Sequence, residues 1–158
     1  MIKNFFSAML VATVFAMAPA PALASNGQVA LKGDVKVEKT VTENGETRSV
    51  FEDPKVVVPG DRLLFSTSYV NTGETPVKNF VVTNPLPPAV RIAEESATAL
   101  EVSVDGGKTW GRLTALMVGD GQGGQRPAQA GDVTHVHWVI SEIAPHGQGQ
   151  VEYRAIVR

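Results

Sequence analysis

His135 and His137 are the side chains best suited to metal chemistry in this chain of 158 residues. Alternating with Val136 and Trp138, they read as part of one strand whose two imidazoles project from the same face. Together with His146 they form a candidate zinc or copper set, because neutral imidazole suits both metals. An i,i+2 pair supplies only two ligands, and a stable site needs further donors at defined geometry. The competing expectation is two solvent-facing strand histidines with no ligand role.

A second cluster, Ser103-x-Asp105-x-Gly107-x-Thr109-Trp110, is similar to the Asp-box turns of sialidases and other glycan-processing propellers. That likeness prompts a glycan-processing enzyme as one reading. The physical expectation is a stabilised hairpin instead. A short aspartate at a hairpin tip accepts backbone N–H bonds, Gly106 and Gly107 supply positive φ, and Trp110 packs over the turn. One copy cannot build a propeller, which needs the unit repeated.

Asp53, Asp61, Asp120 and Asp132 also adjoin glycine or proline, where aspartate satisfies local backbone donors. Calcium held between loops is the alternative for such carboxylates, although no Asp-x-Asp-x-Asp loop occurs. The run Gly119 to Gly124 lacks the Lys-Ser/Thr end of a phosphate loop. Neither a Gly-x-Ser-x-Gly elbow nor a Ser-x-x-Lys motif is present. With no cysteine there is no thiolate nucleophile, disulfide or cysteine-ligated zinc. The expectation is a protein without catalytic residues or cofactor.

Strands must carry these residues, because nearly every ordered segment alternates with period two. Val29, Leu31, Val35 and Val37 share one parity; Leu63, Phe65, Thr67 and Tyr69 share another face, as do Phe80 and Val82. Leu100, Val102 and Val104 follow, then Val136, Trp138 and Ile140, and finally Val151, Tyr153, Ala155 and Val157. Asn44-Gly45 marks a two-residue hairpin, since both central positions of a type I′ turn need positive φ. Pro59-Gly60 and Asn71-x-Gly73 bracket one strand, and Asn84-Pro-Leu-Pro-Pro88 closes the next. A short helix fits only between Ala89 and Ala99, and Gly119 to Gly131 reads as a flexible loop. Seven or eight short strands predict an all-β fold, a single antiparallel β-sandwich of the immunoglobulin-like kind.

Residues 1–24 stand apart from that body. Lys3 precedes an apolar run from Phe5 to Met17, Pro19 and Pro21 end any helix, and Ala22-Leu23-Ala24 fits the small-x-small rule for signal peptidase. The run is short for a membrane span of about 20 residues, so cleavage and export are expected, to the periplasm, cell envelope or medium. The remaining 134 residues, 158 less 24, make one domain over 25–158. Loss of Lys3 leaves 13 basic against 16 acidic side chains, a net of −3. That balance predicts no nucleic-acid partner and no polybasic membrane patch, and no integral span is expected after cleavage.

Pro59-Gly60-Asp61, an alternating strand, Asn71-Thr72-Gly73, Pro76, an apolar strand and Asn84-Pro85-Leu86-Pro87 together resemble the conserved-repeat domain catalogued as DUF eleven. The Ser103 to Trp110 turn and the Trp138 strand are similar to it too, so the resemblance spans about Val29 to Val157. It implies an immunoglobulin-like module of bacterial and archaeal secreted or surface proteins, structural or adhesive, with no catalytic residues to carry over. Many members are tandem arrays; this chain holds one copy, which fits a free envelope protein or a subunit of something larger.

The expected function is therefore an exported, non-catalytic structural or interaction module that binds a protein partner through loops or a sheet edge. Val29 to Lys39 is the candidate edge or exchanged strand. The alternatives are a metal- or small-ligand-binding protein using His135 and His137, and a glycan-processing enzyme.

Overall fold

The computed structural model describes residues 27–158; Ala22, Ala24 and the cleavage expected after them lie outside the described residues. The chain forms β1 (Val29–Glu43), β2 (Glu46–Glu52), β3 (Arg62–Asn71), β4 (Val77–Pro85) and β5 (Val90–Ile92). Helix α1 (Glu94–Ala99) follows, then β6 (Glu101–Ser103), β7 (Met117–Gly119), β8 (Gln125–Pro127), β9 (His135–Ile143) and β10 (Gln148–Val157). Short 3-10 turns occupy Leu113–Ala115 and Ala130–Asp132. Among the described residues the ten strands exceed the seven or eight expected because β5, β7 and β8 hold three residues each, too few to show a period in sequence, whereas β6 falls on the expected Leu100–Val104 run.

The strands make a five-stranded sheet in the order β2-β1-β3-β10-β5, a three-stranded sheet β4-β9-β6, and a β7-β8 ribbon. All neighbours are antiparallel. Alternation decides which side chains meet between the two larger sheets. Leu63, Tyr153 and Ala155 from one are buried with Val102 and Val136 from the other, and Ile92, Val90, Leu113 and Val133 close that end. A second cluster joins Phe80, Val82 and Ile143 to Val29, Tyr69 and Val151. Trp138 packs against both clusters. Burying each such aliphatic side chain contributes about 1.5–3 kcal/mol, so this seam is what holds the sheets together.

Three expectations change. Gly119 to Gly131 is not a loose loop. Asp120 accepts the Gln122 and Gly124 N–H groups through Oδ1, which closes the β7-β8 ribbon. Arg126 then grips Asp132 with two hydrogen bonds of 2.7 and 2.8 Å. Leu31 shares the parity of the inward residues of β1 yet is 43% exposed, while Val29 and Val35 on the same face pack against the two core clusters. Finally, β1 is an edge for only half its length: β2 covers Val37 to Glu43, and Val29 to Lys36 pair with β3 alone.

Candidate functional site

Ser103 and Asp105 build the turn that follows β6. Asp105 Oδ1 accepts the Ser103 hydroxyl at 2.7 Å and the N–H groups of Lys108 and Thr109 at 3.1 and 2.9 Å. Ser103 Oγ in turn accepts the Gly107 N–H at 2.9 Å. Gly106 and Gly107 have φ of 80° and 86°, a left-handed pair that side-chain-bearing residues rarely adopt. The Thr109 N–H, the Ser103 and Thr109 hydroxyls and the Lys108 N–H all favour the ionised form, and they hold the Asp105 carboxyl well below the usual carboxylate range. Ser103 is fully buried with its hydroxyl occupied, so it is no nucleophile waiting for a base. These bonds close the segment on itself, and a bridge between Val102 and Gly111 spans its base.

The turn also delivers Trp110 to the histidines. The indole stacks on His137 at a centroid distance of 4.0 Å and meets the edge of His135 at 6.3 Å. Nε2 of His137 bonds Glu101 Oε2 at 2.8 Å, and Nδ1 of His135 lies 3.1 Å from Thr134 Oγ1. The two imidazoles are therefore half-buried under Trp110 rather than solvent-facing, since β6 pairs Glu101 with His137 and Ser103 with His135. His146 does not join them. It sits in the β9–β10 turn, beyond the far end of β9, with Nε2 3.3 Å from Glu74. Nine strand residues separate the two ends by roughly 27 Å. Among the described residues no group of three or more histidine, aspartate or glutamate side chains converges at metal-binding distances. Sequence reading missed Glu101 and Thr134, which only strand pairing brings to the histidines.

The remaining motif positions fasten strand ends. Pro59-Gly60-Asp61 forms a turn in which Asp61 Oδ2 accepts the Val58 N–H, the Gly60 N–H bonds Val157 O, and the Val157 N–H bonds Asp61 O. Asn71 is completely buried: its amide donates to the carbonyls of Thr75, Ile143 and Ala144, and its Oδ1 accepts the Gly73 N–H. Pro76 then leads into β4. Leu86 ties that strand's exit to Thr134 O at 2.8 Å, and Pro87 O accepts the Val90 N–H. Asp132 likewise accepts the Gln129 N–H, whereas Asp53 departs from the turn pattern and pairs with Lys36 at 2.5 Å.

The arrangement that offers itself to another molecule lies on the flank where β1 overhangs β4. The inward residues Gly33 and Val35 of β1 stand opposite Thr67 and Phe65 of β3 and share a slot with the Asn84–Pro85 end of β4. The slot, of about 470 Å³, ends on Tyr153. Phe65 stacks on Tyr153 at 4.9 Å and 4°, and Asn84 Nδ2 donates to Thr67 Oγ1 across the slot at 2.8 Å. Burial pushes the Tyr153 hydroxyl up to about 12. Among the described residues β4 pairs only with β9, so the backbone of its outer edge faces this flank unpaired. The slot combines the apolar faces of Val35, Phe65 and Tyr153 with the polar side chains of Asp34, Ser66 and Thr67. No known protein family, curated protein or solved structure matches the chain.

Proposed function

We propose that the chain is exported with cleavage after Ala24 and serves, without catalysis, as an interaction module of the cell envelope that binds a protein partner along a sheet flank. The slot between the overhanging inner face of β1 and the open edge of β4 carries this reading. An extended segment laid there gains main-chain hydrogen bonds from β4 and buries alternate side chains against Val35 and Phe65, the recognition mode of strand addition.

The same reading takes the body as an immunoglobulin-like sandwich related to the DUF-eleven modules. In its support, β1-β3-β10-β5 beside β4-β9-β6 has the adjacencies and alternating directions of the constant-type order A-B-E-D beside C-F-G. The path differs: after the fourth position the chain visits the last three in reverse, and β10 crosses back into the larger sheet. Sandwiches of this kind share architecture without always sharing connectivity.

A photo-reactive residue in place of Asn84, on the wall of the slot, tests the reading. Irradiated in envelope extract, it is expected to give one discrete protein adduct that an excess of unlabelled chain competes away. Absence of any competed adduct overturns it. The envelope-recovered chain is expected to begin at Ser25; an intact Met1 on that chain overturns the export step.

A further inference from the structure

We infer that the flank takes a second copy of this chain, the open halves of two β1 strands pairing antiparallel about a two-fold axis at Gly33. The inference rests on this flank being the binding surface, names its occupant, and places the main-chain pairing on the β1 side of the flank rather than on β4. Val29 to Lys36 pair with β3 on one side, while β2 begins to cover the other side only at Val37. Seven residues, Ala30 to Lys36, are thus centred on Gly33 with unpaired peptide groups on their outer side.

The chemistry of that stretch is complementary to itself. With Gly33 opposite Gly33 of the second copy, Leu31 faces Val35 on the side that continues the core, and the pairing ends at Ala30 and Lys36 because Val37 is already paired with Glu52 of β2. On the other side Lys32 faces Asp34, twice by symmetry. Lys32 has no ion-pair partner among the described residues, and Asp34 touches only Lys36, at 3.7 Å. Other registers fail. A shift of two positions sets Lys32 against Lys32, or Asp34 against Asp34, and like charges directly opposite are unfavourable. A shift of one sets inward residues of one copy against outward residues of the other. In the favoured register Leu31, 43% exposed in one copy, gains cover from its opposite Val35.

The other open edges fit less well. On β4, Asn79 has a φ of 51° and Pro85 has no N–H, which confines the regular edge groups to Phe80–Asn84. On β2 the charges are already used within its hairpin, Arg48 with Glu43 and Glu52 with Lys39. Strands β5 and β6 are three residues long.

The test is sedimentation of the chain expressed with its own leader and purified after export, over the micromolar to millimolar range. The expected result is twice the monomer mass. Lys32→Asp and Asp34→Lys each place like charges opposite and weaken pairing by roughly tenfold. Mixed together, these two variants are expected to form a heterodimer, and the double exchange Lys32→Asp with Asp34→Lys restores self-pairing.

A thiol gives the second readout, in a chain that has no other. A Cβ at position 33 meets no atom within 4 Å in the single copy, so Gly33→Cys leaves the fold intact. Directly opposite strand residues have Cα atoms about 4.5–5.5 Å apart, within reach of a disulfide. Gly33→Cys is expected to oxidise to a covalent dimer while Ser141→Cys, on the other sheet, does not. A chain that stays monomeric in every form, or a dimer indifferent to both charge reversals, overturns the inference. If the Asn84 adduct still forms in that case, the flank binds a foreign protein and only the self-pairing is lost.

Discussion

Asn71 concentrates more of the structure in one side chain than any titratable group does. It is wholly buried, and its two N–H groups serve three carbonyls, two of them at the end of β9. Asn71→Ala strands those carbonyls and the Gly73 N–H in a place closed to water. A buried polar group left without a partner costs about 1–3 kcal/mol, and several are left here. The expected loss is about 2–4 kcal/mol, read from denaturant midpoints at unchanged slope. Asn71→Asp should be at least as damaging at neutral pH, because a carboxylate then faces three carbonyl oxygens. The identity of this residue was legible as a turn signal before Gly73. Its interior role was not, since Ile143 and Ala144 lie 72 and 73 residues away in sequence.

At the scale of elements, the β1-β2 hairpin differs from the rest. The pairing of β1 with β3 ends at Glu38, so Lys39 to Val50 continue as a two-stranded arm beyond the sheet. Asn44 and Gly45, with φ of 54° and 82°, make the type I′ turn expected of that dipeptide. The arm is held by exposed pairs such as Lys39–Glu52 and Arg48–Glu43, each worth little in water. A two-stranded hairpin without a packed face is marginal by itself. Amide exchange is therefore expected to be far faster over Thr40 to Ser49 than over β3 and β10, with the exchange rate in the arm set by local opening rather than by global unfolding. Equal protection in arm and central strands would contradict this picture. Turn chemistry announces such an arm in sequence; its lack of a third strand does not show there.

For the whole molecule, acid lability follows from where the carboxylates sit. At Asp105 and Asp120 donors in their turns hold the carboxyl below its usual range, and at Asp132 the Arg126 guanidinium does so. Burial works against ionisation of Glu38, but hydrogen bonds from Ser49 and Arg62 and the Arg154 charge overcome it. Glu95 is lowered by its own backbone N–H and, despite some burial, by Arg62. Each depressed value means that the folded state binds fewer protons than the unfolded chain near pH 4. Their stabilisation is complete above the ordinary values of 3.8 and 4.5 and is lost as pH falls through the lower folded values. The melting temperature is thus expected to be level from neutral pH to about 5 and to fall steadily below 4. Across the same titration the gap between the wild-type chain and Asp105→Asn should narrow, because protonation removes from the first what substitution removed from the second. A gap that widens in acid would count against the turn carboxylate as the cause.

Local patterns in the amino-acid sequence determined the longer strands, the faces of β3, β9 and β10, the Asn44-Gly45 and Asp105-Gly106-Gly107 turns and the short helix after Ala89. Each depends on neighbours within a few positions, where alternation and positive φ leave their mark. Only the tertiary structure decided that the larger sheet overhangs the smaller. The same holds for Trp110 covering His137, for His146 lying at the far end of β9, and for half of β1 being left open. Those outcomes depend on which strands pair and how far they overlap, and hydrogen bonds between distant peptide groups carry no signature in the residues that make them.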